Sequence, residues 1–162
     1  MTDEQYKQLE EALKPVLIVH EGERLKPYLD TKGIMTIGIG HNMIANPLPK
    51  DIAEYLEENG CITKEMEDKL FSLDLDKAIE SCLRLYPNFY NFPEHIQMAL
   101  IDIMFNMGYS KLKNDFAQTV AHINAEQWDD VIDHLQHSKW YTQVHQRAKD
   151  DIALIEEVKK EG

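Results

Sequence analysis

The stretch that most constrains this chain is residues 21–41, E-G-E-R-L-K-P-Y-L-D-T-K-G-I-M-T-I-G-I-G-H. Residues 30–33, D-T-K-G, carry turn chemistry. An aspartate can accept hydrogen bonds from the backbone just ahead of it, and glycine takes positive φ without steric cost. A short strand is expected before the turn, over 25–29, and residues 34–41 alternate with period two after it. Met35, Ile37, Ile39 and His41 then share one face, and Ile34, Thr36, Gly38 and Gly40 the other. The second face has a hydroxyl followed by two positions with no side chain. Glycine inside a strand marks a bulge or the close approach of something bulky. The stretch therefore reads as a tight β-hairpin with a bare face, Thr36 beside it, and two acids, Glu21 and Asp30, flanking it.

The rest of the chain is mostly helical by its spacing. Residues 3–13 place Tyr6, Leu9 and Leu13 at helical intervals. Pro15 should break or kink that helix, or begin a new one in its first turn. Residues 15–20 should carry Val16, Leu17 and Val19 inward and deliver Glu21 at a helix end, with Gly22 as the stop. Residues 46–49 read as a loop and 50–58 as a helix halted by Asn59 and Gly60. Thr63 is a good N-cap, with Glu65 and Glu67 favoured in the first turn by the helix dipole. A helix of about six turns follows, ended by Pro87, and its length suits a connector between two lobes. Further helices are expected over 93–107, 112–123, 125–134 and, with breaks, 138–157. There is no internal repeat or low-complexity segment. Cys61 and Cys82 would be separated by most of the long helix, too far for a disulfide, so free thiols are expected.

At 162 residues the chain makes one compact domain or two closely joined lobes. Its net charge of −12 argues against nucleic acid, which wants a basic face, and against tight binding to anionic envelopes. The apolar run at 15–19 is far too short for a signal-peptide core or a membrane span. No membrane insertion and cytoplasmic synthesis are expected.

Several motifs dissolve on inspection. Gly38 and Gly40 imitate a dinucleotide fingerprint, but Met43 stands in place of the third glycine. His20 and Glu21 imitate a zinc-protease motif, but Arg24 stands in place of the second histidine. His134 and His137, three apart on a helix, lack the further ligands a metal needs. No metal or cofactor is expected. On spacing alone, Glu21 and Asp30 would be two solvated charges among 29 acids.

What changes that reading is the whole pattern. Glu21, Asp30 and Thr36, with the glycines between them, resemble the signature of the phage-type lysozymes (glycoside hydrolase family 24, endolysin muramidases). The resemblance continues through residues 62–71, 99–108 and 138–149. It implies an α+β, lysozyme-like fold. A small three-stranded antiparallel lobe (about 14–62) would be joined by a linking helix (63–86) to a helical lobe (87–162), with the cleft between them and an extra N-terminal helix at 1–13. It implies hydrolysis of the β-1,4 bond between N-acetylmuramic acid and N-acetylglucosamine in peptidoglycan, with inversion, by a monomer. Glu21 would be the acid, and Asp30 with Thr36 would position the attacking water. An acid behind apolar neighbours keeps its proton to higher pH. The resemblance also implies an arginine at Arg147 reaching that acid, which would act in the opposite sense. It implies sugar contacts from Asn42, Phe105, Thr119 and His134, and a wall of Trp140, Tyr141 and Gln143, although ordinary packing is the favoured role for Trp140. The setting implied is host-cell lysis by a phage or prophage, with a separate membrane pore giving access to the wall. A lytic transglycosylase and a non-catalytic wall-binding relative are the alternatives; the intact Asp30 and Thr36 favour hydrolysis.

Overall fold

The computed structural model describes residues 1–161. Helix α1 spans Asp3–Glu21. It opens with a reciprocal cap: the Gln5 N–H donates to Thr2 Oγ1 at 3.1 Å and the Thr2 N–H to Gln5 Oε1 at 2.9 Å, so two otherwise orphaned donors are satisfied. Three strands follow: β1 (Arg24–Leu29), β2 (Met35–Gly38) and β3 (His41–Asn42). Then come α2 (Lys50–Asn59), α3 (Lys64–Leu85), a 3₁₀ turn at Phe89–Asn91, and α4 (Glu94–Met107). The chain finishes with α5 (Tyr109–Asp115), α6 (Ala117–Asn124), α7 (Trp128–Gln136), α8 (Lys139–Val144), α9 (Gln146–Glu156) and α10 (Val158–Glu161). This is the expected α+β class.

The chain forms two compact units. One is Glu10–Asp76 and contains the whole sheet, which is an antiparallel meander in the order β1-β2-β3. Its core is Ile37, Ile52, Ile62 and Leu70, with Met43, Leu48, Leu56 and Met66 packed around them. The α1 and α3 segments of this unit are tied by a Lys14–Asp68 ion pair and by the Ser72 hydroxyl donating to Glu10 at 2.6 Å. The other unit combines residues 1–9 with residues 77 onward. Its centre is α4, where Ile96, Ala99, Leu100, Ile101 and Ile103 are all buried. A helix apolar on every side belongs inside a core, and α9 packs along it.

Three expectations need correction. Pro15 does not interrupt α1, which runs unbroken, so residues 1–13 are not a separate helix. Pro15 and Glu11, whose carbonyl loses its partner, both lie on the exposed side, while Leu13 and Leu17 on the other side are fully buried. Packing on both sides of the proline outweighs the lost bond. Val19 points outward and is 77% exposed, because the buried stripe follows the 9, 13, 17 spacing. The alternation over 34–41 is not one strand: β2 ends at Gly38, the chain turns at Ile39 and Gly40, and β3 begins at His41. Downstream, Phe116 separates α5 from α6, and His145, at φ 46°, separates α8 from α9.

Candidate active site

Glu21 is the last residue of α1, and Gly22 at φ 84° ends the helix by donating its N–H to the Ile18 carbonyl at 2.9 Å. The side chain of Glu21 lies against the bare backbone of Gly40. A methyl group at Gly40 would come within 2.7 Å of Glu21 Cβ and 2.8 Å of its Cγ. The bulky neighbour implied by the glycine-bearing face is thus Glu21 itself. Gly38 serves the same purpose for Glu67, whose Cγ would lie 3.3 Å from an added methyl.

Asp30 builds the hairpin turn. Its Oδ1 accepts from the Lys32 N–H at 2.8 Å and the Ile34 N–H at 2.9 Å, and its carbonyl accepts from Gly33 at 3.0 Å. One carboxylate oxygen is thereby committed to backbone, and Oδ2 has none of these bonds. Thr36, 4% exposed, donates its hydroxyl proton to the Ile34 carbonyl at 2.8 Å. Its remaining capacity is that of an acceptor. The turn and the hydroxyl are locked to the same residue, Ile34, through its N–H and its carbonyl.

Thr36 occupies the central strand, paired with Tyr28 on β1 and with Asn42 on β3. Tyr28 was not singled out by the sequence reading. Its hydroxyl donates to the Glu21 carbonyl at 3.2 Å, and Arg24 stacks on its ring at 4.9 Å. Burial, first, and then the charge of Glu21 push the phenol pKa up, with Asp30 adding in the same sense and Arg24 opposing. Tyr28 is therefore the side chain that senses both acids. Its signal in the sequence was the register: an aromatic two residues before the turn aspartate faces the residue equally far beyond the turn. Asn42 turns the chain after β3, its Oδ1 accepting from the Ile44 and Ala45 N–H groups at 2.9 Å each. Only its amide N–H₂ is left for a ligand.

His41 anchors this hairpin to α3. Nδ1 lies 2.7 Å from Asp74 Oδ2 and Nε2 lies 2.7 Å from the Asn46 carbonyl. The Asn46 carbonyl can only accept, so Nε2 carries a proton, and Nδ1 shares one with the Asp74 carboxyl.

In the helical unit, Thr119, His134, Gln143 and Trp140 line one cavity of about 520 Å³, with Lys111 and Lys139 also on its wall. Trp140 is 2% exposed and donates to Asn106 Oδ1 at 2.6 Å, which matches the packing role expected of it. His134 meets the His122 ring edge-on at 4.7 Å. Phe105, Tyr141 and Arg147 do not line this cavity. Arg147 grips Asp102 instead: Nε to Oδ2 at 3.1 Å, and one terminal nitrogen to Oδ1 at 3.0 Å and to the Asp102 carbonyl at 3.1 Å. Asp151 is buried in the same cluster. Desolvation, then the Asp102 charge, raise its pKa well above the usual carboxylate range. Among the described residues, no cluster of histidine, cysteine and acid side chains could hold a metal ion. Cys61 and Cys82 are both free.

An α+β chain carrying this hairpin is a glycoside hydrolase of the lysozyme class. It belongs to the phage lysozyme family, whose model matches residues 19–153. Probable T4-type lysozyme 2 of Dictyostelium discoideum is 29% identical over 160 residues, covering 90% of this chain and 94% of the relative. The endolysin of Salmonella phage P22 is 36% identical over 93 residues, 56% of each chain. The pre-baseplate central spike protein Gp5 of Enterobacteria phage T4 is 32% identical over 149 residues, 83% of this chain but 26% of that protein. The chain is a peptidoglycan hydrolase.

Proposed function

We propose that the chain cleaves the β-1,4 bond between N-acetylmuramic acid and N-acetylglucosamine by a single displacement with inversion. Glu21 gives its proton to the leaving glycosidic oxygen as the bond from the anomeric carbon breaks. A water attacks from the opposite face, and its proton passes to Asp30. The observation that supports this reading is the hydrogen bonding of Asp30 and Thr36. Thr36 has spent its proton on Ile34 and can only accept from a water. Asp30 has spent Oδ1 on the turn. A water bound to Thr36 Oγ1 and Asp30 Oδ2 would donate both protons, leaving an oxygen lone pair for the sugar. Asn42, Phe105, Thr119 and His134 are proposed contacts along the glycan and its substituents, with Gln143 and Tyr141 in support. Arg147, held by Asp102, is proposed as a supporting residue of the site.

The mechanism needs no metal, cofactor, nucleic acid or second copy of the chain. No helix among the described residues is long and apolar enough to cross a membrane. A role in host lysis, with passage from the cytoplasm through a separate pore, fits that observation. The test is product analysis on purified wall. A free reducing end appearing first as the α anomer supports inversion. An anhydro sugar would assign a lytic transglycosylase, and no product would assign a wall-binding relative.

A further inference from the structure

A second cavity, of about 400 Å³, lies within the helical unit, between the first turns of α1, the 3₁₀ turn and the start of α4. Its wall includes Gln5, Gln8, Tyr90, Asn91, Glu94 and Gln97. None of the residues that line it is a lysine, arginine or histidine. The proposed mechanism uses none of them.

The hydrogen bonds fix what each amide can offer. Gln97 is only 7% exposed, and its Nε2 donates to the Phe89 carbonyl at 3.2 Å and the Tyr90 carbonyl at 3.3 Å. Two carbonyls can be met only by the NH₂ end, so the amide orientation is set. Its Oε1 accepts from no described residue and is left as an acceptor. Gln5 is fixed the other way round: its Oε1 holds the Thr2 N–H, which leaves its NH₂ as the donor. Asn91 donates from Nδ2 to Asn88 at 2.6 Å and keeps Oδ1 as an acceptor. Gln8 is exposed and offers both ends. Beside these amides stands the Tyr90 ring, 45% exposed.

We propose that this cavity is a second, non-catalytic glycan site that binds N-acetylated β-1,4-linked sugars. Hydroxyl and acetamido groups each donate and accept, which suits a wall of preset amide donors and acceptors. The exposed aromatic ring suits the C–H face of a pyranose. No lysine, arginine or histidine side chain lines the cavity and the Glu94 carboxylate does, which disfavours phosphates and nucleic acids; the same carboxylate disfavours the muramic acid carboxylate and selects the N-acetylglucosamine units. The choice of sugar rests on the muramidase reading. The site's function would be to hold the enzyme on its insoluble substrate between cleavages, since a second attachment raises overall avidity.

The probe is chitotetraose, the β-1,4 tetramer of N-acetylglucosamine, added to the full chain carrying Glu21→Gln and followed by NMR. The expected result is saturable shifts in the side-chain NH₂ signals of Gln5, Gln8, Asn91 and Gln97 and in the backbone of residues 89–97. Tyr90→Ala should weaken that binding about tenfold, the worth of one aromatic contact. Both Tyr90→Ala and Gln8→Ala alter exposed side chains, so the fold should hold. In the otherwise unaltered enzyme each should reduce retention on insoluble wall while leaving the turnover of soluble fragments unchanged. Shifts absent from these residues up to the solubility of the sugar, or unaffected by Tyr90→Ala and Gln8→Ala, would overturn the proposal. So would equal shifts from a wall stem peptide. Clearing of cell walls by the unaltered enzyme is read separately: its loss counts against the muramidase reading, and loss of the shifts with clearing intact counts against this site alone.

Discussion

Gly40→Ala is the sharpest test of how the acid is held. At φ 63° an L side chain is strained, and the new methyl would sit 2.7 Å from Glu21 Cβ. The left-handed conformation costs about 1–2 kcal/mol. The clash is harder to relieve. Carbon atoms in contact lie about 3.5–4.0 Å apart, so Glu21 Cβ must retreat by about 1 Å. It cannot do so by rotating a side-chain torsion, because Cβ is fixed to the end of α1. Either the helix end or the turn before β3 must move, and overpacking of this kind costs about 1–3 kcal/mol. The sum, about 2–5 kcal/mol, corresponds to a fall in Tm of about 4–20 °C for a chain of this size. Catalysis should suffer more, since a displacement of about 1 Å can cost about 100-fold in rate. The control is Gly60→Ala. Gly60 has φ 74° at the end of α2 with nothing within 4 Å of an added methyl. It should lose about 1–2 kcal/mol and no activity. Thermal melts and initial clearing rates on the same preparations give both quantities. If Gly40→Ala clears walls as fast as Gly60→Ala, the contact between Gly40 and Glu21 does not set the position of the acid.

Four further outcomes follow from the charges. Glu67 is fully buried, its Oε2 has no partner, and burial followed by the Glu23 charge raises its pKa above the ordinary glutamate value. A raised carboxyl favours the fold below its unfolded pKa and loses that contribution as pH rises through its folded pKa. Glu67→Gln should therefore melt at the same temperature as the parent in acid and higher at neutral pH; a constant gap across pH would refute this. The same sign holds for Asp151. Asp151→Asn should remove a decline in stability on the alkaline side, whereas Asp102→Ala, which takes the paired carboxylate from the buried Arg147 guanidinium and leaves it only the backbone carbonyl of that residue, should cost about 3–5 kcal/mol by denaturant unfolding. Finally, a chain of net charge −12 approaching an anionic wall meets repulsion that salt screens. Clearing should speed up from very low salt to about 0.1 M, and a steady fall in rate would show that local basic residues govern the encounter instead.

The hairpin was legible because its signals are local. Asp30 and Gly33 state the turn, and the glycines announce a close neighbour. Caps were legible for the same reason: the Met66 N–H does donate to Thr63 Oγ1 at 3.1 Å, and Gly60 does close α2 in the left-handed conformation. The errors lie where tertiary packing overrides local preference. Pro15 is tolerated because the lost bond faces water. The turn at Ile39 and Gly40 hid inside an unbroken apolar–glycine alternation. Tyr28 was missed because its role depends on strand register. The grouping of Thr119, His134 and Gln143 on one cavity depends on how α6, α7 and α8 pack, which no periodicity reports. The grip of Asp102 on Arg147 spans 45 residues and has no sequence signature at all.

The helical unit is assembled from both ends of the chain, with residues 10–76 as an excursion between its two pieces. This has a mechanical consequence. Tension applied at the two termini enters and leaves through the same unit, across the packing of residues 1–9 against the rest of it. The hairpin unit lies outside that load path until the first two turns of α1 have been peeled away. A pulled molecule should yield in two steps, the helical unit first, and should keep Glu21, Asp30 and Thr36 in register through the first of them.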